Sequence, residues 1–190
     1  MNGSRVADEL QFDSAECKEF GTQFPNDTER LDGETASADA NSYEKGDITP
    51  VGGVAENVQA SLGTVDRVAQ LEPFLDAFAD DRLGNCISEA FRNELEQDAA
   101  DDEQRVQFSE FDAERLQTGG VGDESAGVRI SGSFGAAGFT VPFAFAIQAT
   151  RVGRSGMIVT HTVIGPDEPA TDIDSLTRSL VDAFRTGNAA

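Results

Sequence analysis

The run from Val128 to Ile164 constrains the fold more than any other stretch. From Phe139 it alternates with period two. Phe139, Val141, Phe143, Phe145 and Ile147 share one side; Thr140, Pro142, Ala144, Ala146 and Gln148 share the other. A strand with one heavily buried face has this pattern. Gly135-Ala136-Ala137-Gly138 and Gly153-Arg154-Ser155-Gly156 interrupt the run as hairpin turns. They delimit three strands, about Ala126 to Phe134, Phe139 to Val152, and Met157 to Ile164. Strands joined by tight turns run antiparallel.

Helices flank this core. Val68, Leu71, Leu75 and Phe78 recur at helical spacing, and Pro73 requires the helix to start near Glu72 or a short turn to precede it. Cys86, Ile87, Ala90, Phe91 and Leu95 mark a second helix over about Asn85 to Gln97, with Asn85 as its cap and an acidic loop, Asp98 to Glu103, after it. A closing helix starts at Thr171 or Asp172, carries Ile173, Leu176, Leu180, Val181 and Phe184 on one face, and ends at Gly187. Val54 to Val65 and a run beginning at Val106 complete the strands. The order reads β-α-α-β-β-β-β-α. The expected class is α+β: an antiparallel β-meander sheet with helices packed on one face. The Phe-bearing face takes the helices, and the small face (Ala144, Ala146, Ser131, Ser133) is either wet or covered by the N-terminal arm.

Residues 1–47 read as an N-terminal arm and an acidic flexible linker, and 48–190 as a single α+β domain. In the arm, Val6 to Phe12 is apolar enough to pack on the body. From Pro25 to Asp47 small and acidic residues dominate, the composition of a linker or long surface loop. Asn26-Asp27-Thr28 fits the N-glycosylation pattern, which matters only in a eukaryotic secretory route.

Charge excludes several functions. There are 35 acidic residues against 14 basic ones, and only Lys18 and Lys45 are lysines. A net charge of −21 repels phosphate backbones and anionic lipid, so no nucleic-acid partner is expected. Such acidity serves solubility, in a high-salt cell or medium for example; the functional alternative is a cationic partner or Ca²⁺. No apolar run approaches the roughly 18 residues of a membrane-spanning helix. Met1 to Leu10 is polar, which taken literally describes a cytoplasmic protein, although a mature chain whose leader has been removed looks the same. Cys17 and Cys86 are the two cysteines. Paired, they close a long loop and argue for export. Unpaired, they are two buried thiols.

Around Asn85-Cys86-Ile87 and Arg151-Val152-Gly153-Arg154, the order of features from about Val54 to Gly187 resembles the secreted lipoproteins and extracellular sensor domains of actinobacteria. That resemblance implies an α+β domain acting outside the membrane as a binding or sensing module, in some members with an apolar ligand cavity. No lipobox or kinase segment accompanies it here.

Catalytic motifs are scarce. The single histidine, His161, lies in the last strand in phase with Val159 and Val163. It is a general base or metal ligand in a pocket, or a half-buried strand histidine bonded to a neighbour. No Gly-x-Ser-x-Gly elbow accompanies it. Gly132 to Gly138 is glycine-rich, but it has strand on both sides and lacks the helix that a dinucleotide site needs. No metal site is expected, because two cysteines and one histidine cannot fill a structural zinc site without carboxylates, and no acidic run fits an EF-hand. Asp98, Asp101, Asp102 and Glu103 read as a solvated charge run, with a loose Ca²⁺ site as the alternative. No cofactor is expected. Arg151 and Arg154 either bind an anionic group or pair with Asp or Glu of the closing helix.

The expectation is an exported, extracellular or envelope domain that binds or senses an apolar small molecule or a protein partner. The alternatives are a small enzyme using His161 and nearby carboxylates, and a structural envelope protein. The candidate binding residues are Arg151, Arg154 and His161.

Overall fold

The computed structural model describes residues 12–22, 34–39, 43–46, 53–101, 107–136, 139–165 and 172–187. In chain order the elements are α1 (Ala15–Gly21), β1 (Glu34–Asp39), β2 (Tyr43–Lys45), β3 (Ala55–Val65), a short 3-10 turn (Val68–Gln70), α2 (Glu72–Ala79), α3 (Leu83–Asp101), β4 (Gln107–Arg115), β5 (Glu124–Ala136), β6 (Phe139–Val152), β7 (Ser155–Ile164) and α4 (Ile173–Gly187).

Strands β4 to β7 form a meander, but the sheet as a whole is not a simple one. Its order is β1-β3-β7-β6-β5-β4, with β2 also paired to β3 and every pairing antiparallel. Strand β3 precedes the helix pair in the chain, yet it lies against β7 from Ala55↔Ile164 to Thr64↔Ser155. The expected order β-α-α-β-β-β-β-α is therefore corrected to α-β-β-β-α-α-β-β-β-β-α. A meander ending in β7 leaves a row of backbone donors and acceptors along that strand, and β3 satisfies them.

Strands β1 and β2 fall within the stretch whose composition predicts a linker. Thr35 to Asp39 are exposed, so these residues contribute no core. Backbone pairing to β3 alone makes them strands. Composition reports side-chain burial and is blind to that kind of pairing. Residues 1–11, 23–33 and 166–171, with most of the Val6–Phe12 segment, the Asn26-Asp27-Thr28 pattern and Thr171, lie outside the described residues.

A second correction concerns the layers. The helices do not all pack on one face. Alternate residues of a strand point to opposite sides of its sheet. Ile147 and Ala149 of β6, Val128 of β5 and Ile158 of β7 pack with Leu71, Leu75, Phe78, Leu83 and Cys86, beneath α2 and α3. Ala146 and Val152 of β6, with Met157 and Val159 of β7, pack with Ile173 and Val181 of α4 on the other side. The sheet is thus sandwiched between the helix pair and the C-terminal helix. The small side chains Ala144 and Ala146 explain this. They leave depth for a helix on that face, and α4 has an apolar stripe to bury.

Local chemistry sets the helix limits. Pro73 sits in the first turn of α2, where its missing N–H removes no helical hydrogen bond. Helix α3 starts two residues before Asn85, because Asp80 organises the turn: its Oδ1 accepts from the Arg82 N–H at 2.8 Å and its carbonyl from the Leu83 N–H at 3.1 Å. Glycine at position 84 lets α3 approach the sheet. A Cβ there would lie 3.0 Å from the Ala113 Cβ and 3.2 Å from Val128 Cγ2. The helix continues through Asp98 to Asp101, where an acidic loop was expected. In α4, Asp172 accepts from the Ser175 N–H at 2.9 Å and caps the helix. The β6–β7 hairpin turns on Gly153, whose φ of 61° suits glycine.

Candidate functional site

Among the described residues, three places hold the side chains singled out from the sequence. The first is the hairpin end of the sheet, where Arg151 and Arg154 lie. Asp123, just before β5, collects the donors there. Its Oδ2 accepts from the Gly153 N–H at 2.6 Å and from Arg151 at 3.5 Å, and its Oδ1 accepts from Arg185 of α4 at 3.0 Å. The Gly153 N–H, then the two guanidinium groups, hold the Asp123 carboxyl below the usual range against the opposing effect of burial. Arg151 also reaches Glu124 at 3.4 Å. Exposed Arg154 donates to the Asp66 carbonyl at 3.3 Å. Arg151 thus meets carboxylates from the loop and strand before it, and the closing helix contributes a cation, Arg185. The cluster fastens the loop, the hairpin and α4 together.

The second is His161, on the α4 side of β7. Its Nε2 lies 3.3 Å from Glu56 Oε2 on β3, and both side chains are buried. His161 stands opposite Ala146, whereas Arg151 stands opposite Gly156 on the same strand pair. The two are five rungs apart, roughly 16 Å at strand rise, and on opposite faces. The three residues singled out from the sequence therefore do not form one site.

The third is the layer around Cys17 and Cys86. The two sulfurs are joined at 2.06 Å, and both residues are buried. The bond pins α1 to α3. Glu89 of α3 holds the same segment by accepting the N–H groups of Asp13 at 2.6 Å and Ser14 at 2.8 Å. Burial opposes ionisation of Glu89, but these N–H groups, the Ser14 side chain and Lys18 together outweigh it and lower its pKa. Phe20 is fully enclosed, with Arg82 over its ring at 5.6 Å. Nearby, a cleft of about 60 Å³ opens between the α2–α3 junction and β4, lined among others by Phe78, Asp80, Asp81, Leu83 and Arg115. That volume holds a few waters, far short of a drug-sized ligand.

Glu56, Asp123 and Arg185 escaped sequence reasoning. Glu56 carried a signal: it is in phase with Val58, Ala60 and Leu62, which places an acid on a buried face. Asp123 and Arg185 carried none, because the contact spans 62 residues and joins two exposed side chains among many. Among the described residues, no group of three or more His, Cys, Asp or Glu side chains is arranged to hold a metal. Among the same residues, no helix is long and apolar enough to cross a membrane.

Fold and disulfide define an α+β domain stapled between its first and third helices. No family model matches the chain, and no curated protein matches it. It has a weak structural resemblance to LpqN of Mycobacterium tuberculosis, whose structure is described as that of a protein involved in cell envelope biogenesis. The two share 10% identity, with a TM-score of 0.35 over 78% of this chain and 86% of that one.

Proposed function

We propose that this chain is an exported, non-enzymatic domain that binds a protein partner outside the reducing cytosol. The observation that carries the reading is the Cys17–Cys86 disulfide, which joins residues 69 apart in sequence. A structural disulfide persists in oxidising compartments and is rare where glutathione keeps thiols reduced. Burial of both cysteines supports a structural bond over a redox-active one. The burial of His161 and Glu56 keeps that pair from a substrate, which speaks against the enzyme reading. The cleft at the α2–α3 junction, with Asp80, Asp81 and Arg115 in its wall, is too small and too charged for a drug-sized apolar ligand.

Two measurements test this. Protein isolated from its own host, unfolded in denaturant, should bind no maleimide until a reductant is added; free labelling before reduction sinks the exported reading. Titration with the apolar dye N-phenylnaphthylamine should give no saturable fluorescence. Stoichiometric, saturable binding would transfer the assignment to an apolar ligand.

A further inference from the structure

We infer that this chain is built to fold in molar monovalent salt and loses its native state as ionic strength falls, the cations of the medium standing in for basic partners that its carboxylates lack. The inference is independent of the binding role. Its first ground is arithmetic. With 35 acidic and 14 basic residues, a net 21 carboxylates have no basic residue of their own, however the side chains are arranged.

The second ground is where the structure places its cations. Arg82 pairs with Asp80 and Arg115 with Asp81, while Arg151 and Arg185 converge on Asp123. Arg154 and Arg178 donate to the carbonyls of Asp66 and Gly120. Arg92 lies 5.1 Å over the Phe111 ring. These arginines are engaged in tying loops and helices to the body, and their charge is already counted in the net −21.

The third ground is local. Glu72 and Asp76 are both exposed and lie one turn apart on α2, a spacing at which like charges repel. At about 0.1 M salt the screening length is about 10 Å, long enough for neighbouring charges to sum, and at about 1 M it is about 3 Å. Self-repulsion of this kind weighs on the compact state more than on the expanded one. Salt therefore removes a cost that falls mainly on the native fold.

The test is the thermal midpoint, followed by circular dichroism from about 0.1 to 3 M KCl and again in NaCl. It is run on the wild-type chain and on a variant carrying Glu72→Gln and Asp76→Asn. The wild-type midpoint should rise by about 10 °C or more. The variant should start higher at low salt and rise less. A wild-type chain already unfolded at low salt that folds on addition of KCl gives the same support. A flat or falling midpoint overturns the inference. So does an equal rise in both proteins, which marks general salting-out, and so does full stabilisation by millimolar Ca²⁺, which marks a discrete site.

Discussion

The two faces of the sheet solve one problem with different chemistry. Under the helix pair the core is apolar: Val65, Leu71, Leu75, Phe78, Leu83 and Val128 fill it, and a disulfide adds α1 to the layer. Under α4 a polar chain runs through the core. Thr177 lies 3.0 Å from Gln148 Oε1, Gln148 donates to Ser125 Oγ at 3.0 Å, and Ser125 Oγ lies 2.8 Å from Thr150 Oγ1. Gln148, Thr150 and Thr177 are completely enclosed. Apolar surfaces tolerate sliding, whereas buried polar groups must meet their partners or lose their hydrogen bonds. The helix pair is held by area and a covalent link. The position of α4 along β6 is fixed by hydrogen-bond register.

The largest effect should come from breaking the covalent link. The Cys17→Ser, Cys86→Ser double variant should lose about 4 kcal/mol in the chain-entropy model, read as a lower urea midpoint with the slope little changed. A loss under about 1 kcal/mol would mean that Phe20 and the Glu89 contacts hold α1 unaided.

On the other face, Thr177→Val keeps the shape but removes the one hydroxyl proton that Gln148 Oε1, at 3.0 Å, shares with the Ile173 carbonyl, at 2.8 Å. It should cost about 1–3 kcal/mol. Combining it with Gln148→Leu should cost less than the sum of the two single changes, because both ends of one interaction are removed together. Additive losses would show that the polar chain does not act as a unit, and the contrast between the faces would fall.

This contrast was half legible in the sequence. The alternation from Phe139 to Ile147 identifies the helix-pair face, because bulky residues at period two have no other use. The hairpin at Gly153 and the helices carrying Leu75, Cys86 and Val181 follow from the same periodicities. The face opposite was harder to read. Ala144 and Ala146 suit open solvent, a covering arm or a helix equally well, and small side chains do not say what lies above them. Gln148 looks like an ordinary polar position on a strand until Thr177 is found over it. Strands β1 and β2 left no pattern, since their pairing to β3 is made by backbone atoms. Among the candidate residues, the sequence isolated His161, Arg151 and Arg154 by rarity of type. It could not show that they lie on opposite faces, nor that Glu56 and Asp123 complete their surroundings, because partners far apart in sequence meet only through sheet register.

The smallest expected effect tests the α4 face through a partly buried charge. Asp174 lies in the first turn of α4, partly buried, with its Oδ1 lacking a hydrogen-bond partner among the described residues. Burial, then repulsion from Asp172, raises its pKa above the ordinary aspartate value. A carboxyl whose folded pKa exceeds its unfolded one takes up a proton first in the native state. Its ionisation therefore costs stability in full above the raised value, and the cost fades as pH falls through that value. Asp172 and Asp123 have the opposite sign: their pKa values are lowered, so what they contribute is lost only as pH drops through those lower values. Asp174→Asn should then raise the thermal midpoint at pH 7 by a small amount, and the advantage over wild type should shrink toward pH 4. If the variant is instead less stable at pH 7, the carboxylate's attraction to Arg178 and to the positive end of α4, with its hydrogen bond from Gln148, outweighs its burial. In that case α4 is positioned by charge as well as by the Thr177–Gln148 register.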